Sequence, residues 1–185
     1  MSGNPPCRSQ RGFTLIELII TVAVLGTLSL VAAPAMSKAV AHYRAQTLTH
    51  ELTGAFALAR IHAISKNVPV QVCPSDGQRC LSHADWNRGW IVFRSRNGGN
   101  QPASPDDILH VYQGTTGAGR ISTTQGRPRL RYRPDGMSPG SNLTVSICRG
   151  EHLHAHVIVN NGGRTRTERI PNNLPCPRPD NPSPD

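Results

Sequence analysis

Between Gly12 and Met36 the chain reads GFTLIELIITVAVLGTLSLVAAPAM. From Phe13 to Met36 the only charge is Glu17. As a helix rising about 1.5 Å per residue, this run covers roughly 36 Å, enough to cross the hydrocarbon core of a bilayer. Arg8 and Arg11 lie just before it, and no Lys or Arg follows until Lys38. The positive-inside bias therefore predicts an N-terminus in the cytoplasm and the remainder outside. A carboxylate inside a membrane helix costs about 2.5–3.5 kcal/mol, so Glu17 needs a partner.

Ala32 to Ala35 read AAPA, which could serve as a signal-peptidase site, but the apolar run before it is longer than a typical h-region. A more specific pattern sits at its start: Arg11, Gly12, Phe13, Thr14, Leu15, Ile16, Glu17. It resembles the processing site of type IV prepilins and type II secretion pseudopilins, and Pro34 stands where these proteins carry a helix-kinking proline. The resemblance implies that a prepilin peptidase cuts between Gly12 and Phe13. Phe13 is then N-methylated, and the leader of residues 1–12, including Cys7, is lost. It also implies a single-pass inner-membrane protein with a periplasmic C-terminal domain, assembled with other pilins into a pilus or pseudopilus. Cleavage exposes an amine on Phe13, and Glu17 of one subunit can neutralise the amine of its neighbour in a filament, so the buried charge sets the register of assembly.

Beyond this anchor (residues 13–36) an amphipathic pattern extends the helix over residues 37–67. Val40, Tyr43, Leu48, Leu52, Ala55, Phe56, Ala59 and Ala63 fall at helical spacings, and Asn67 and Pro69 end it. One unbroken helix of roughly 54 residues would reach about 80 Å. From residue 68 the period changes to two. The expected strands are Val68–Cys73, Trp90–Arg94, Ile108–Tyr112, Arg129–Arg133, Leu143–Cys148, Leu153–Asn160 and Arg164–Ile170. Turn clusters SRNGGN, QGTTGAG, RPDGMSPGSN and NNGG separate them. Thirty-three Gly and Pro residues and only 4% aromatics agree with short strands and many turns. The expected domain of residues 68–170 is thus β-rich, and the proline-rich tail of residues 171–185 is extended unless tied down. Without Cys7 four cysteines remain: Cys73, Cys80, Cys148 and Cys176. Outside the cytoplasm an even count favours disulfides, with three possible connectivities. Cys73–Cys80, closing a short loop, and Cys148–Cys176, pinning the tail to a strand, are the favoured pair.

Cys73-Pro74-Ser75 with Cys80, followed by Trp86-Asn87-Arg88-Gly89-Trp90-Ile91-Val92-Phe93, resembles the FimT/GspH group of minor pilins and pseudopilins. Tyr132 to Gly136, Leu143 to Cys148 and Val157 to Arg164 resemble its later strands. The resemblance covers most of residues 11–170. It implies an α+β, type IV pilin-like fold in which a long N-terminal helix packs on antiparallel β-sheets. Acidic residues often follow the Trp-x-x-Gly-Trp strand in this group. Ser95 and Arg96 stand there instead, which argues against a calcium site.

The FimT branch is known for a Gly-Arg-x-Arg motif that binds double-stranded DNA in natural transformation, and Gly163-Arg164-Thr165-Arg166 stands at the matching place. Gly162 and Gly163 allow a tight turn with positive φ. A strand starting at Arg164 places Arg164 and Arg166 on one face about 6.6 Å apart, a spacing suited to successive phosphates. Arg169 would fall on the opposite face. A second alternating series, Arg127, Arg129, Arg131 and Arg133 behind Gly126, would crowd four guanidiniums on one strand face, which calls for solvent or an anionic partner. The chain has 20 basic against 11 acidic residues, and 18 of the 20 are Arg; loss of the leader leaves a net charge of +7. This balance suits contact with phosphates, independent of base sequence and sensitive to salt. The alternative is a GspH-like pseudopilin of type II secretion, or an assembly pilin that binds no DNA. His152, His154 and His156 alternate in EHLHAHV and could in principle share a metal, but a solvent-facing strand is the expectation, with no metal or cofactor. Asp106 and Asp107 look like turn residues. No nucleophile–base motif, phosphate loop or carboxylate pair points to an enzyme. Mass spectrometry of the membrane-bound form is expected to find methylated Phe13 as first residue; an intact start, or a cut beyond the apolar run, overturns the filament reading.

Overall fold

The structure, a computed structural model, describes residues 12–96, 98–114, 120–123, 127–140, 142–171 and 174–177. The leader up to Arg11 with Cys7, Gly126, and the tail beyond Pro177 lie outside the described residues. Two compact units are present, Met1–Ala39 and Val40–Asp185.

Helix α1, Leu15–Lys66, begins in the first unit and contains Pro34. The Thr14 hydroxyl accepts from the Glu17 backbone N–H at 3.3 Å. Thr14 thereby caps the helix, and Glu17 falls in its first turn, where the helix dipole favours negative charge. Apolar side chains that follow are exposed: Leu18 is 58% exposed and Leu25 62%. Hydroxyls in this stretch are returned to their own helix, as Thr21 donates to the Leu18 carbonyl at 2.8 Å and Ser29 to that of Leu25 at 2.7 Å. A segment that returns its hydroxyls to its own carbonyls and, Glu17 apart, bares mainly apolar side chains suits lipid or neighbouring helices.

In the second unit the remainder of α1 packs on two four-stranded antiparallel sheets. The strands are β1 Val70–Pro74, β2 Gly89–Arg94, β3 Ile108–Gln113, β4 Arg120–Thr123, β5 Leu130–Tyr132, β6 Leu143–Arg149, β7 His152–Val159 and β8 Thr165–Arg169. One sheet has the order β3-β2-β1-β5 and the other β4-β6-β7-β8. Ala45, Leu48, Leu52, Ala55, Phe56, Ala59 and Ala63 of α1 join Val70, Val72, Trp90, Val145, Ile147, Val157 and Val159 in one core. Val40 and Tyr43 correct the expected face, since they are 39% and 69% exposed; Ala45 and Thr49 take the buried positions instead. The helix ends at Asn67, whose φ of 51° is the left-handed conformation Asn tolerates at a helix C-terminus.

The sheets depart from simple alternation for identifiable reasons. Every residue of β1 is buried, because its outer face is roofed by loops. There Cys73, Cys80, Ile91 and Phe93 form a second cluster, and the Gln71 amide donates to the Ser95 hydroxyl at 2.8 Å and the Gly99 carbonyl at 2.7 Å. Strand β4 was not expected; its four residues lie between two turn-like segments, too short a run to show a period. Strand β5 is shorter than the expected Arg129–Arg133. Asp107 is no mere turn residue: it is 5% exposed and lies 3.6 Å from Arg94 Nε and 3.1 Å from Arg96 Nε. The basic residue that replaces an acid after β2 is therefore paired internally.

Disulfides join Cys73 to Cys80 and Cys148 to Cys176, with Cα–Cα distances of 5.5 and 5.8 Å. The second holds the tail beside β7, where Cys176 N–H donates to the Glu151 carbonyl and Leu153 N–H to that of Leu174, both at 2.8 Å. It closes a long loop, so Cys148→Ser/Cys176→Ser is expected to lower unfolding free energy by about 3–4 kcal/mol. Denaturant titration checks this, and an unchanged midpoint refutes it.

Candidate functional site

The β7–β8 hairpin turns through Asn160–Arg164. Gly163 N–H donates to the Asn160 carbonyl at 2.9 Å, and Arg164 N–H to Asn160 Oδ1 at 2.9 Å. The turn requires glycine at 163, where φ is 71°. The position is also crowded, because a Cβ there would run into the Gly136 carbonyl and the Tyr132 ring. Ser138 N–H donates to the Asn161 carbonyl at 2.9 Å, and Arg60 of α1 to the Gly162 carbonyl at 3.2 Å. The hairpin tip is thus clamped between the 133–138 turn and the helix, and the strand leaving it has a fixed direction.

Strand β8 pairs with β7 as Val159↔Thr165, Ile158↔Arg166, Val157↔Thr167, His156↔Glu168 and Ala155↔Arg169. Val157 and Val159 belong to the core, so Thr165, Thr167 and Arg169 share the helix-facing side. Arg166 and Glu168 face away from the core, and both arginines of the motif are exposed. Arg166 Nε lies 3.1 Å from Glu168 Oε1. Sequence reasoning missed this carboxylate, although an acid two residues after Arg166 falls on its face of any regular strand.

The second arginine series does not form one face. Only Arg131 of the four lies within β5. Its guanidinium donates to the Gly98 carbonyl at 2.6 Å, and that of Arg129 to the Asn100 carbonyl at 3.0 Å. Arg133 pairs with Asp135 at 3.2 Å. Arg127 donates to the Ser138 hydroxyl at 2.7 Å, and burial lowers its pKa from the ordinary value. The repulsion expected of an aligned series is relieved by acceptors: Arg127 and Arg133 turn to Ser138 and Asp135, whereas Arg129 and Arg131 both reach Asn100, Arg131 through the Asn100 Oδ1 at 3.4 Å. The 133–138 turn brings Arg127 and Arg133 toward the hairpin tip, whereas Arg129 and Arg131 reach toward the 98–100 loop.

The three histidines are also separated. A register shift between Ile147 and Cys148 interrupts the β6–β7 ladder. His156 meets the Ser146 hydroxyl at 3.0 Å on the outer face. His154 instead stacks edge-on against His42 of α1, with ring centroids 5.1 Å apart. Among the described residues no three His, Cys, Asp or Glu side chains gather as metal ligands. Burial depresses the His156 pKa, opposed by Glu168. Burial also depresses His154, reinforced by His42, Arg149 and Arg169.

The family model described as type II transport protein GspH matches residues 48–163, well over half of the chain. A prokaryotic N-terminal methylation motif matches residues 7–33. Two crystal structures of the type IV minor pilin FimU from Pseudomonas aeruginosa strain PAO1 share the fold. One has a TM-score of 0.52 at 20% identity over 66% of this chain and 91% of that one. The other has 0.53 at 19% identity over 66% and 87%. No curated protein matches the chain.

Gly163→Ala is expected to cost about 2–4 kcal/mol, the left-handed penalty plus displacement of the 136 turn; thermal melting that matches the wild type overturns this account of the hairpin. A histidine depressed in the folded state binds its proton more readily when unfolded, so stability is complete above about pH 6.5 and is lost as pH falls through the folded values. The melting temperature is expected to drop between about pH 7 and pH 5, and His154→Gln/His156→Gln to flatten that slope. An unaltered slope in the double variant counts against these two groups.

Proposed function

Because the chain belongs to the GspH family of minor pilins and pseudopilins and opens with a methylation motif, we propose that it is a minor type IV pilin of FimT type that captures double-stranded DNA for uptake in natural transformation. In this reading a prepilin peptidase removes residues 1–12 and residues 13–36 anchor the subunit in the inner membrane, then pack with major and minor pilins in the filament. Residues 37–67 continue the helix, and the domain of residues 68–170 stands in the periplasm or on the pilus surface.

The observation that carries the proposal is the exposed pair Arg164 and Arg166 beside the clamped hairpin tip. A rigid turn presents two guanidiniums whose forked donors match phosphate oxygens. The Arg166–Glu168 pair is exposed on both sides and is worth at most about 1 kcal/mol, so a phosphate can replace the carboxylate. Arg133 and Arg127 flank the tip as supporting cations. Arg129 and Arg131 keep further N–H groups beyond those given to the 98–100 loop, and Arg169 lies on the other side of β8. The contacts reach phosphates and not base edges, so affinity should be indifferent to sequence and steep in salt.

A second reading, a pseudopilin of type II secretion without DNA binding, is favoured by the type II transport role for which the matching family is named and by Glu168 among the arginines. The two separate in one measurement on the full chain in neutral detergent. Duplex DNA is expected to bind at low salt, and Arg164→Gln/Arg166→Gln to reduce the slope of log affinity against log salt by about two. Glu168→Gln is expected to tighten binding. Absence of wild-type binding at low salt overturns the DNA reading, and a double variant that binds like wild type overturns the site.

A further inference from the structure

On the helix-facing side of β8, away from the motif arginines, lies an open cavity of about 420 Å³. Its polar lining includes Gln46, His50 and Thr53 of α1, His154 of β7, and Thr167 and Arg169 of β8. Gln46, His50, His154, Thr167 and Arg169 can each donate a hydrogen bond, and no carboxylate is among the lining residues. Glu168, the acid next to Arg169 in sequence, faces the other side and pairs with Arg166.

Behind the lining the positive character deepens. His154 rests against His42, and Arg149 Nη1 lies 3.5 Å from His42 Nδ1. The titratable and charged groups gathered around His154 are therefore His42 and His50 from α1, Arg149 from β6 and Arg169 from β8. Burial depresses the His154 pKa, and His42, Arg149 and Arg169 add to that depression. A guanidinium and imidazoles brought together, with no carboxylate among the lining residues, favour an anion. The Thr53 hydroxyl gives its proton to the Thr49 carbonyl at 2.8 Å, so the Thr167 hydroxyl, 3.3 Å from it, is the neutral hydroxyl donor at the cavity mouth. The volume falls within the range of small-molecule sites and leaves room for a phosphate with an attached sugar.

We propose that this cavity is a second anion site that takes a phosphate group, held by Arg169 with His50, His154, Gln46 and Thr167 as further donors. It stands apart from the DNA reading, because Arg164 and Arg166 take no part in it. The phosphate can come from a DNA backbone passing from the hairpin tip over the β8 edge, or from free phosphate.

The test uses the full chain in neutral detergent, with histidine ring signals followed by NMR near pH 6.5 as inorganic phosphate is added. The expected result is movement of the His50 and His154 signals and a rise in the His154 titration midpoint, since a bound anion stabilises imidazolium. Arg169→Gln should weaken the apparent phosphate affinity about tenfold or more, the loss of one charge-assisted contact. Arg169→Lys should retain an intermediate affinity, and Arg164→Gln/Arg166→Gln should titrate like wild type. Silence of these signals in wild type, or an Arg169→Gln titration indistinguishable from wild type, overturns the proposal. Added duplex DNA then identifies the source. If DNA moves the same signals and Arg169→Gln weakens it, the backbone supplies the phosphate; if DNA leaves them still while phosphate moves them, the site serves free phosphate.

Discussion

Both sheets close on a single stripe of α1. Ala45, Ala55, Ala59 and Ala63 have side chains small enough to let strands approach the helix, and Leu48, Leu52 and Phe56 fill the spaces between them. Each large side chain buried here contributes about 1.5–3 kcal/mol, in a core that also holds residues of both sheets. Removing the stripe would leave two separate sheets, each with one bare apolar face. The hairpin tip depends on the same helix, because Arg60 holds the Gly162 carbonyl from its flank.

The same helix meets two solvents. Up to Ala39 the described large apolar side chains are exposed, and hydroxyls bond back to helix carbonyls. From Ala45 onward one apolar stripe is buried, while Ile61 and Ile64 stay exposed off it. At the front, the Thr14 cap and Glu17 in the first turn give the carboxylate a local electrostatic reason to stand where it does. That reason adds to any partner on a neighbouring subunit.

Around the hairpin, backbone geometry decides which charges are available. Gly163 nests against Gly136, which locks two turns together and sets the outward side of β8. The arginines of the 127–133 segment find carbonyls, a hydroxyl and a carboxylate of their own chain, whereas Arg164 stands exposed and Arg166 is shared with one exposed acid. The two ends of β8 thus carry positive charge on opposite sides: motif arginines outward, and Arg169 with its histidine neighbours toward the helix.

The order of elements was legible because period and punctuation are local: apolar spacing changes from helical to alternating near residue 68, and Asn67 and Gly163 mark turns by conformations few other residues adopt. The cysteine count limited the bridges to three pairings, and the motif at Gly12 pointed to the family. What sequence could not supply was relative placement in space. Val40 and Tyr43 carry the right spacing but precede the stretch of helix that the sheets cover. The 127–133 arginines alternate on paper, yet a three-residue strand and acceptors from distant loops send them apart. A bulge turns His154 to the helix and leaves His156 outside, and β1 is buried on both faces only because remote loops roof it. Periodicity states which side chains share a face of one element; only the packing of elements against each other decides what that face meets, because the partners come from positions far apart in the chain.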